Sequence, residues 1–507
     1  MKYRRHFAFG LVVAAYAVYV FALFWRSSAV IDGERYFSLG DDAMISMRYA
    51  RNFVHGHGLV WNVGERPVEG YTNPLWVLFM AALHALPLPA SKTSGAVKIL
   101  AMALLVANLF VTRRLAERIG ASPAAAIGAT LLTALHYPLT AWSLQGSEVA
   151  LVVPLVGLAL LTAIRGMAAD RFSAIAYWML GAGTLVRPDA AVLYVGLLAG
   201  MATIDRARRA THLTYGIGVL VLFAGLQTAF RLAYYGEWLP NTYYLKMTGY
   251  PTLWRIAWGI RDLAGFAWHR WIVFALAAIG VYWRPRYAAI VAAVAAAQFA
   301  YVAYIGPADS RFTTVAMPLA LVLAAVGADA LTAAAAATGR LRIQAPHAVW
   351  SSVLLAAVAA WTLNPEMFRF RGFPESVLDR DKALDDLTTA HARVAVAAAG
   401  TLYFLDRDGV DVLGKNDYTL ARAPVHRSFH RFGAGYVSGH MKWDYAYSIG
   451  ALAPDVVAEL WRYPEDADPY LKKYEPLRIG DETVYLLRGS PQIRWDRLRS
   501  RQQAARQ

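Results

Sequence analysis

The chain has 507 residues, 57% of them hydrophobic and 17% charged, with no cysteine and a mean hydropathy of +0.35. Soluble domains carry more charge, and the apolar residues here gather into runs of about twenty, the length that crosses a bilayer core; composition therefore predicts a polytopic membrane protein and excludes disulfides and thiol nucleophiles. The net charge of +15 lies largely in short basic clusters between the runs, which the positive-inside rule explains without nucleic acid as a partner.

The first run, 7–25, follows Lys2, Arg4 and Arg5, so its start should stay cytoplasmic and residues 26–73 should lie outside. No small-x-small cleavage site follows, which favours a span over a signal peptide. The external segment opens with "SLGDDAMISMRYARN" (38–52). Met44, Met47, Tyr49 and Phe53 recur at helical spacing beside Arg48 and Arg51, which predicts an interfacial helix lying along the membrane. Asp41 and Asp42 stand at its start. One carboxylate there can cap free N–H groups; two exceed that need, and a carboxylate can serve as general base on a hydroxyl. The next stretch, "GHGLVWNVGERPVEGYTNPLW" (56–76), is dense in Gly, Asn, Trp and Tyr. It suits the lining of a sugar site, with Glu69, Tyr71 and Asn73 as candidate contacts. A loop packed for shape is the alternative.

Further apolar runs lie near 74–90, 97–112, 123–141, 148–164, 173–186, 190–204, 212–233, 267–283, 287–305, 314–336 and 347–364. The basic clusters "RRLAER" (113–118), "DRARR" (205–209), "WRPR" (283–286) and "GRLR" (339–342) should be cytoplasmic. The loops 142–148, 187–190, 234–266 and 306–313, with everything after 365, should then be external. The alternation closes only if the short, Pro-flanked run at 74–90 is re-entrant or interfacial, giving about 11 crossings. The external loops carry Glu148, Arg187, Asp189, Asn241, Lys246, Asp309 and Arg311. Each can be a ligand or half of an ion pair; together they predict polar clusters converging on an external cavity. Arg187 and Arg311, with Lys246, are candidates for a phosphate, which guanidinium groups bind in bidentate fashion. The tail alternates short apolar strings with turn residues, as in "RVAVAAAGTLYFL", "DGVDVLG", "PDVVAEL" and "ETVYLLRG". It reads as a small external α/β domain (365–507) after a transmembrane domain (1–364). There is no P-loop and no Rossmann glycine pattern, which points to energy stored in a lipid-linked phosphosugar. No metal-ligand set is assigned, no cofactor is certain, and a divalent cation is left open.

"LGDDAMISMRYARN", "GHGLVWN", "VEGYTNPLW", "YYGEWLPNTYYLK", "DSRF" and "GHMKWDYAY" followed by "PDVV" resemble a bacterial family of integral-membrane glycosyltransferases with the GT-C fold. The resemblance is to the branch of the mycobacterial terminal arabinofuranosyltransferase and the pilin arabinofuranosyltransferases. It implies a polyprenyl-phosphate sugar donor, an external glycan or protein acceptor, and inversion at the anomeric carbon. It further implies an inner-membrane location with the active site and tail on the periplasmic side, and D-arabinofuranose as the sugar. An acid in the first external loop is the family's general base and maps onto Asp41 and Asp42, with Asp41 slightly favoured. Arg187 stands in the family's Arg-Pro-acid string. Glu148 stands in "QGSE" where the family often has a Gly-Leu-Glu-Thr-like string. His440, Lys442 and Asp444 of "GHMKWD" are candidates to meet the acceptor. A multi-span transporter or flippase of lipid-linked sugars is the rival; it would usually show paired inverted repeats, which this sequence does not.

Overall fold

The computed structural model describes residues 2–306, 310–337, 352, 355–356, 358–359, 366, 370, 375–427, 437 and 439–504. The chain forms two compact units that interleave in sequence. One comprises Met1–Trp25, Lys98–Gln227 and Pro251–Phe370; the other comprises Arg26–Val97, Thr228–Tyr250 and Arg371–Gln507.

The first unit is helical. Among the described residues, six helices are long and apolar enough to cross a membrane: His6–Arg26, Ala90–Ile119, Val149–Ala168, Arg206–Tyr235, Pro285–Ile305 and Met317–Ala337. Two bent pairs, Pro123–Ala134 with Tyr137–Leu144 (49°) and Thr252–Trp268 with Trp271–Trp283 (86°), raise this to eight if each is one span. Reaching the expected 11 also requires the shorter apolar helices Ala174–Val186 and Ala190–Ile204 to cross, together with the 347–364 run, which lies largely outside the described residues. The cluster at 339–342 lies outside them too. The loop expected at 234–266 is mostly helix, in Asn241–Met247 and Thr252–Trp268, the second of them hidden by its charges. One of these, Arg255, is buried and donates to the Tyr304 carbonyl at 3.3 Å.

Backbones approach closely where glycines remove side chains, as membrane helices favour. A methyl on Gly327 would stand 1.8 Å from the Leu276 carbonyl, and one on Gly280 would stand 2.3 Å from that of Leu323. The helices Trp271–Trp283 and Met317–Ala337 are thereby locked together.

The second unit holds the strands. A hairpin, β1 (Ser28–Ile31) and β2 (Glu34–Phe37), turns through Asp32 and Gly33, both at positive φ (49° and 79°), as a tight Asp-Gly hairpin turn requires. A five-stranded sheet in the order β4-β3-β5-β7-β6 is built from β3 (Arg393–Val396), β4 (Asp408–Asp411), β5 (Val456–Val457), β6 (Tyr474–Ile479) and β7 (Glu482–Leu487). β3 runs parallel to β4 and β5, while β7 is antiparallel to β5 and β6. The parallel pairing needs a crossover, and the helical segment Ala399–Leu405 supplies it between β3 and β4.

The helix Pro74–His84 has 11 residues, about 16 Å of rise, half of a bilayer core. The helix Asp41–Val54 is packed inside the protein along most of its length. Ala43 to Ala50 and Asn52 are all buried. Arg48 is spent on internal acceptors, the Trp61 and Leu402 carbonyls (2.7 and 3.2 Å) and the Asn62 side-chain oxygen (3.2 Å).

Candidate active site

The helix that carries the double acid begins at Gly40, which has no side chain to cap it. Asp41 and Asp42 occupy the first turn, where negative charge meets the positive end of the helix dipole. Neither acts as the side-chain cap. Asp41 instead reaches across to the tail: its Oδ1 accepts the Gly400 N–H at 2.7 Å. Its Oδ2 accepts from the Lys415 ammonium at 3.2 Å, and the same ammonium is in close contact with Asp42 Oδ1. Lys415 is buried, with 7% of its side chain exposed, whereas the two acid side chains keep 30% and 42% exposure. The cation thus sits behind the carboxylates and leaves them open to a reactant. Burial opposes the charge on Lys415, but Asp42 and Asp41 outweigh it and raise its pKa above that of an ordinary lysine.

Lys415 is aimed by its loop. Asp411, at the end of β4, accepts the N–H groups of Leu413 (3.0 Å) and Gly414 (2.9 Å) on one oxygen. Its other oxygen accepts the backbone and side-chain N–H of Asn416, both at 2.8 Å. Asn241 holds the far side of the loop, its amide lying 3.1, 2.9 and 3.0 Å from the carbonyls of Gly414, Lys415 and Asp417. Tyr49 donates to the Val68 carbonyl at 2.7 Å, lies 3.2 Å from Asn416 Oδ1 and receives the Gly70 N–H at 3.1 Å. Gly70 fits only without a side chain, since a methyl there would lie 2.0 Å from Asn416 Oδ1.

This network redistributes the residues expected to line a sugar site. Glu69, Tyr71 and Asn73 are buried (3–6% exposed). Glu69 accepts from Arg231 at 2.8 Å, and burial, against the Arg231 charge, lifts its pKa to about 7. Tyr71 bonds to Tyr235 at 3.0 Å, and Asn73 accepts from Ser46 at 3.0 Å. Lys246 lays its stem against Gly439. Lys442 donates to the Tyr244 and Ala421 carbonyls and to Thr248, all at 2.9–3.0 Å, tying three segments together. Asp444 accepts the N–H groups of Ala446 and Tyr447 (2.9 and 3.2 Å) and so caps the turn that follows it. The His440 ring packs 5.4 Å from that of Trp461.

The first unit holds Glu148, Arg187, Asp189 and Arg311. Arg187 makes a bidentate pair with Asp189, two bonds of 2.8 Å, and a third of 2.7 Å to Glu148. All three are buried, their side chains 7–9% exposed, and the trio carries one more negative than positive charge. Arg311 lies over the Trp142 and Phe312 rings, 5.3 Å from each centroid. Asp309 lies outside the described residues.

Sequence reasoning missed Lys415, Asp411, Arg231 and Gly400. "DVLGKND" (411–417) reads as an ordinary turn, and nothing local ties it to acids 374 residues earlier. Among the described residues no three His, Asp or Glu side chains gather to hold a metal ion. The Lys415 ammonium stands between the carboxylates of Asp41 and Asp42.

No protein-family model and no curated protein matches the chain. Solved structures do. ArnT from Cupriavidus metallidurans in the apo state superposes with a TM-score of 0.61 at 15% identity, covering 94% of this chain and 97% of that one. The same protein bound to undecaprenyl phosphate gives 0.57 with the same identity and coverage. The oligosaccharyltransferase AglB from Archaeoglobus fulgidus, in complex with an inhibitory peptide and a dolichol-phosphate, gives 0.57 at 11% identity, covering 96% of this chain and 74% of that one. The chain is a multi-pass membrane protein with the GT-C fold and a small C-terminal sheet domain.

Proposed function

We propose that this protein is an inverting glycosyltransferase that moves a sugar from a polyprenyl-phosphate donor to a glycan or protein acceptor. The observation that carries the reading is the double acid, open to a reactant and backed by a buried ammonium. In the reaction, one carboxylate of Asp41 and Asp42 takes the proton of an acceptor hydroxyl. The hydroxyl oxygen attacks the anomeric carbon, the bond from that carbon to the phosphate oxygen breaks, and polyprenyl phosphate leaves. Attack opposite the leaving group inverts the centre. Asp41 bonds to Gly400 and Lys415 together, Asp42 bonds to Lys415, and Asp42 is the more exposed of the two. Both acids stay assigned.

The lipid phosphates bound by ArnT and AglB support a donor of that class. For its phosphate we assign Arg311 and Arg187, with Lys246 in support. Arg187 holds Glu148 and Asp189 in the present arrangement, so its part requires one of those carboxylates to yield. The sugar we assign is D-arabinofuranose, on the resemblance of the sequence motifs, with cell-wall polysaccharide or pilin as acceptor. The protein is placed in the bacterial inner membrane, with residues 26–73 and the domain from 365 on the periplasmic side.

The test is transfer of labelled arabinofuranose from its polyprenyl phosphate to an arabinan or pilin acceptor by the purified protein in vesicles. Asp41→Asn and Asp42→Asn are made separately. We expect wild-type transfer with inversion and a loss of about 10²–10⁴-fold in at least one variant. Wild-type protein that carries the lipid-linked sugar across the bilayer without transferring it is instead a flippase.

A further inference from the structure

We propose that Lys415 is the resident counter-cation of the double acid, standing where a divalent metal ion would otherwise bridge the two carboxylates, so that the protein's chemistry needs no metal. The inference rests on the glycosyltransferase reading for its activity arm and on geometry for the rest.

Two adjacent carboxylates at a helix start repel one another, and a cation lying close to both relieves that repulsion. Lys415 meets both, at 3.2 Å from Asp41 and in tighter contact with Asp42. An ammonium is a compact point charge with three donors. It can serve two acids, yet its single charge leaves the pair net negative. A divalent ion would neutralise both acids and coordinate the lone pairs that a base needs.

The surroundings are built to hold the ammonium there. Asp411 ties the loop from inside through four hydrogen bonds, and Asn241 ties three of its carbonyls from outside. Gly414 takes φ +85°, a conformation side chains resist, immediately before the lysine. Gly400 lets the crossover turn approach Asp41; a methyl on it would lie 2.5 Å from the Asp41 carbonyl. A lysine drawn to the acids only by surface attraction would need none of this. The carboxylates remain the exposed partners of the buried ammonium, within reach of a reactant.

The experiment uses the full-length protein in nanodiscs, with two readouts. The first is the initial transfer rate in EDTA and across a Mn²⁺ titration. Wild type should keep its rate in EDTA within about twofold, Lys415→Ala should lose on the order of a hundredfold, and Mn²⁺ should return at least tenfold of that loss to the variant alone. Lys415→Arg should keep more activity than Lys415→Ala. The second is Mn²⁺ binding by electron paramagnetic resonance, which needs no turnover. Wild type should show no site at Asp41 and Asp42, Lys415→Ala should gain one Mn²⁺ per chain, and adding Asp41→Asn and Asp42→Asn should remove it. A wild-type enzyme silenced by EDTA and restored by Mn²⁺ overturns the proposal. So does a Lys415→Ala variant with normal transfer, or one whose Mn²⁺ binding equals that of wild type. If wild type transfers no sugar under any condition, the glycosyltransferase reading fails, and the binding arms still decide the role of Lys415. Should Lys415→Ala not fold, wild-type EDTA resistance and Lys415→Arg carry the test.

Discussion

Asn241 distinguishes a ligand from a strut. The sequence offers it as a sugar contact; in the structure its amide is shared among the carbonyls of Gly414, Lys415 and Asp417, its oxygen accepts from Arg422 at 2.9 Å, and it is 4% exposed. Asn241→Asp keeps the shape and removes the two N–H donors. The carbonyls are left facing a carboxylate, and a buried acceptor without its donor costs about 1–3 kcal/mol. Two effective bonds then cost about 4 kcal/mol, a large part of the total of roughly 5–15 kcal/mol that holds a domain. For a unit of this size that corresponds to a fall on the order of 10 °C in Tm. Tryptophan fluorescence during thermal unfolding in detergent reads it, and transfer kinetics on the same preparation read the site. We expect the lower Tm together with a fall in kcat at nearly constant KM for the donor, because the loop that aims Lys415 slackens. An unchanged Tm with a raised KM would show that Asn241 touches substrate and would refute the strut.

Gly70→Ala should be among the most damaging single-methyl changes, since its new carbon meets Asn416 Oδ1 at 2.0 Å and the Tyr49 hydroxyl at 2.9 Å; loss of expression or of several degrees of Tm checks it. Glu69 has a folded pKa of about 7 against an unfolded value of 4.5, so folding favours its protonated form. Its contribution is fully present below about pH 4.5 and is lost as pH rises through 7, a change of about 3 kcal/mol; Glu69→Gln should flatten the Tm profile over that window. Arg187→Lys breaks the bidentate pair with Asp189 and leaves buried carboxylates under-compensated. It should lower the yield of folded protein, and normal folding with weakened donor binding would instead favour the phosphate assignment. For sidedness, Cys placed at the exposed positions His57 and Asp481 should react with a membrane-impermeant thiol reagent on spheroplasts, while Cys at Arg171 should not.

The spans were legible because apolar runs of bilayer length leave few alternatives, and β3, β4, β5 and β7 fall inside the four strings that the tail displayed. What escaped was governed by partners far away in the chain. Asp41 and Asp42 could be singled out as a pair, yet Lys415 sits in a turn whose sequence fits any surface loop. Glu69, Tyr71 and Asn73 have the chemistry of sugar ligands, and only the positions of Arg231, Tyr235 and Ser46 show that they build a scaffold. Thr252–Trp268 failed as a helix on paper because Arg255, Arg261 and Asp262 interrupt its apolar stripe. Arg255 finds a buried place against Tyr304, so its charge is no sign of a loop.

The distance along the chain between Asp41 and Lys415, 374 residues, sets an order of assembly. At about 5–20 residues per second the ribosome needs roughly 20 to 75 s to make the second after the first. Through that interval the double acid has no resident cation, Gly70 has no Asn416 to face, and Asn241 has no loop to hold. Maturation of the site is therefore a late event that awaits the tail, and a chain halted before "DVLGKND" would carry most of its helices while leaving its two acids without their ammonium.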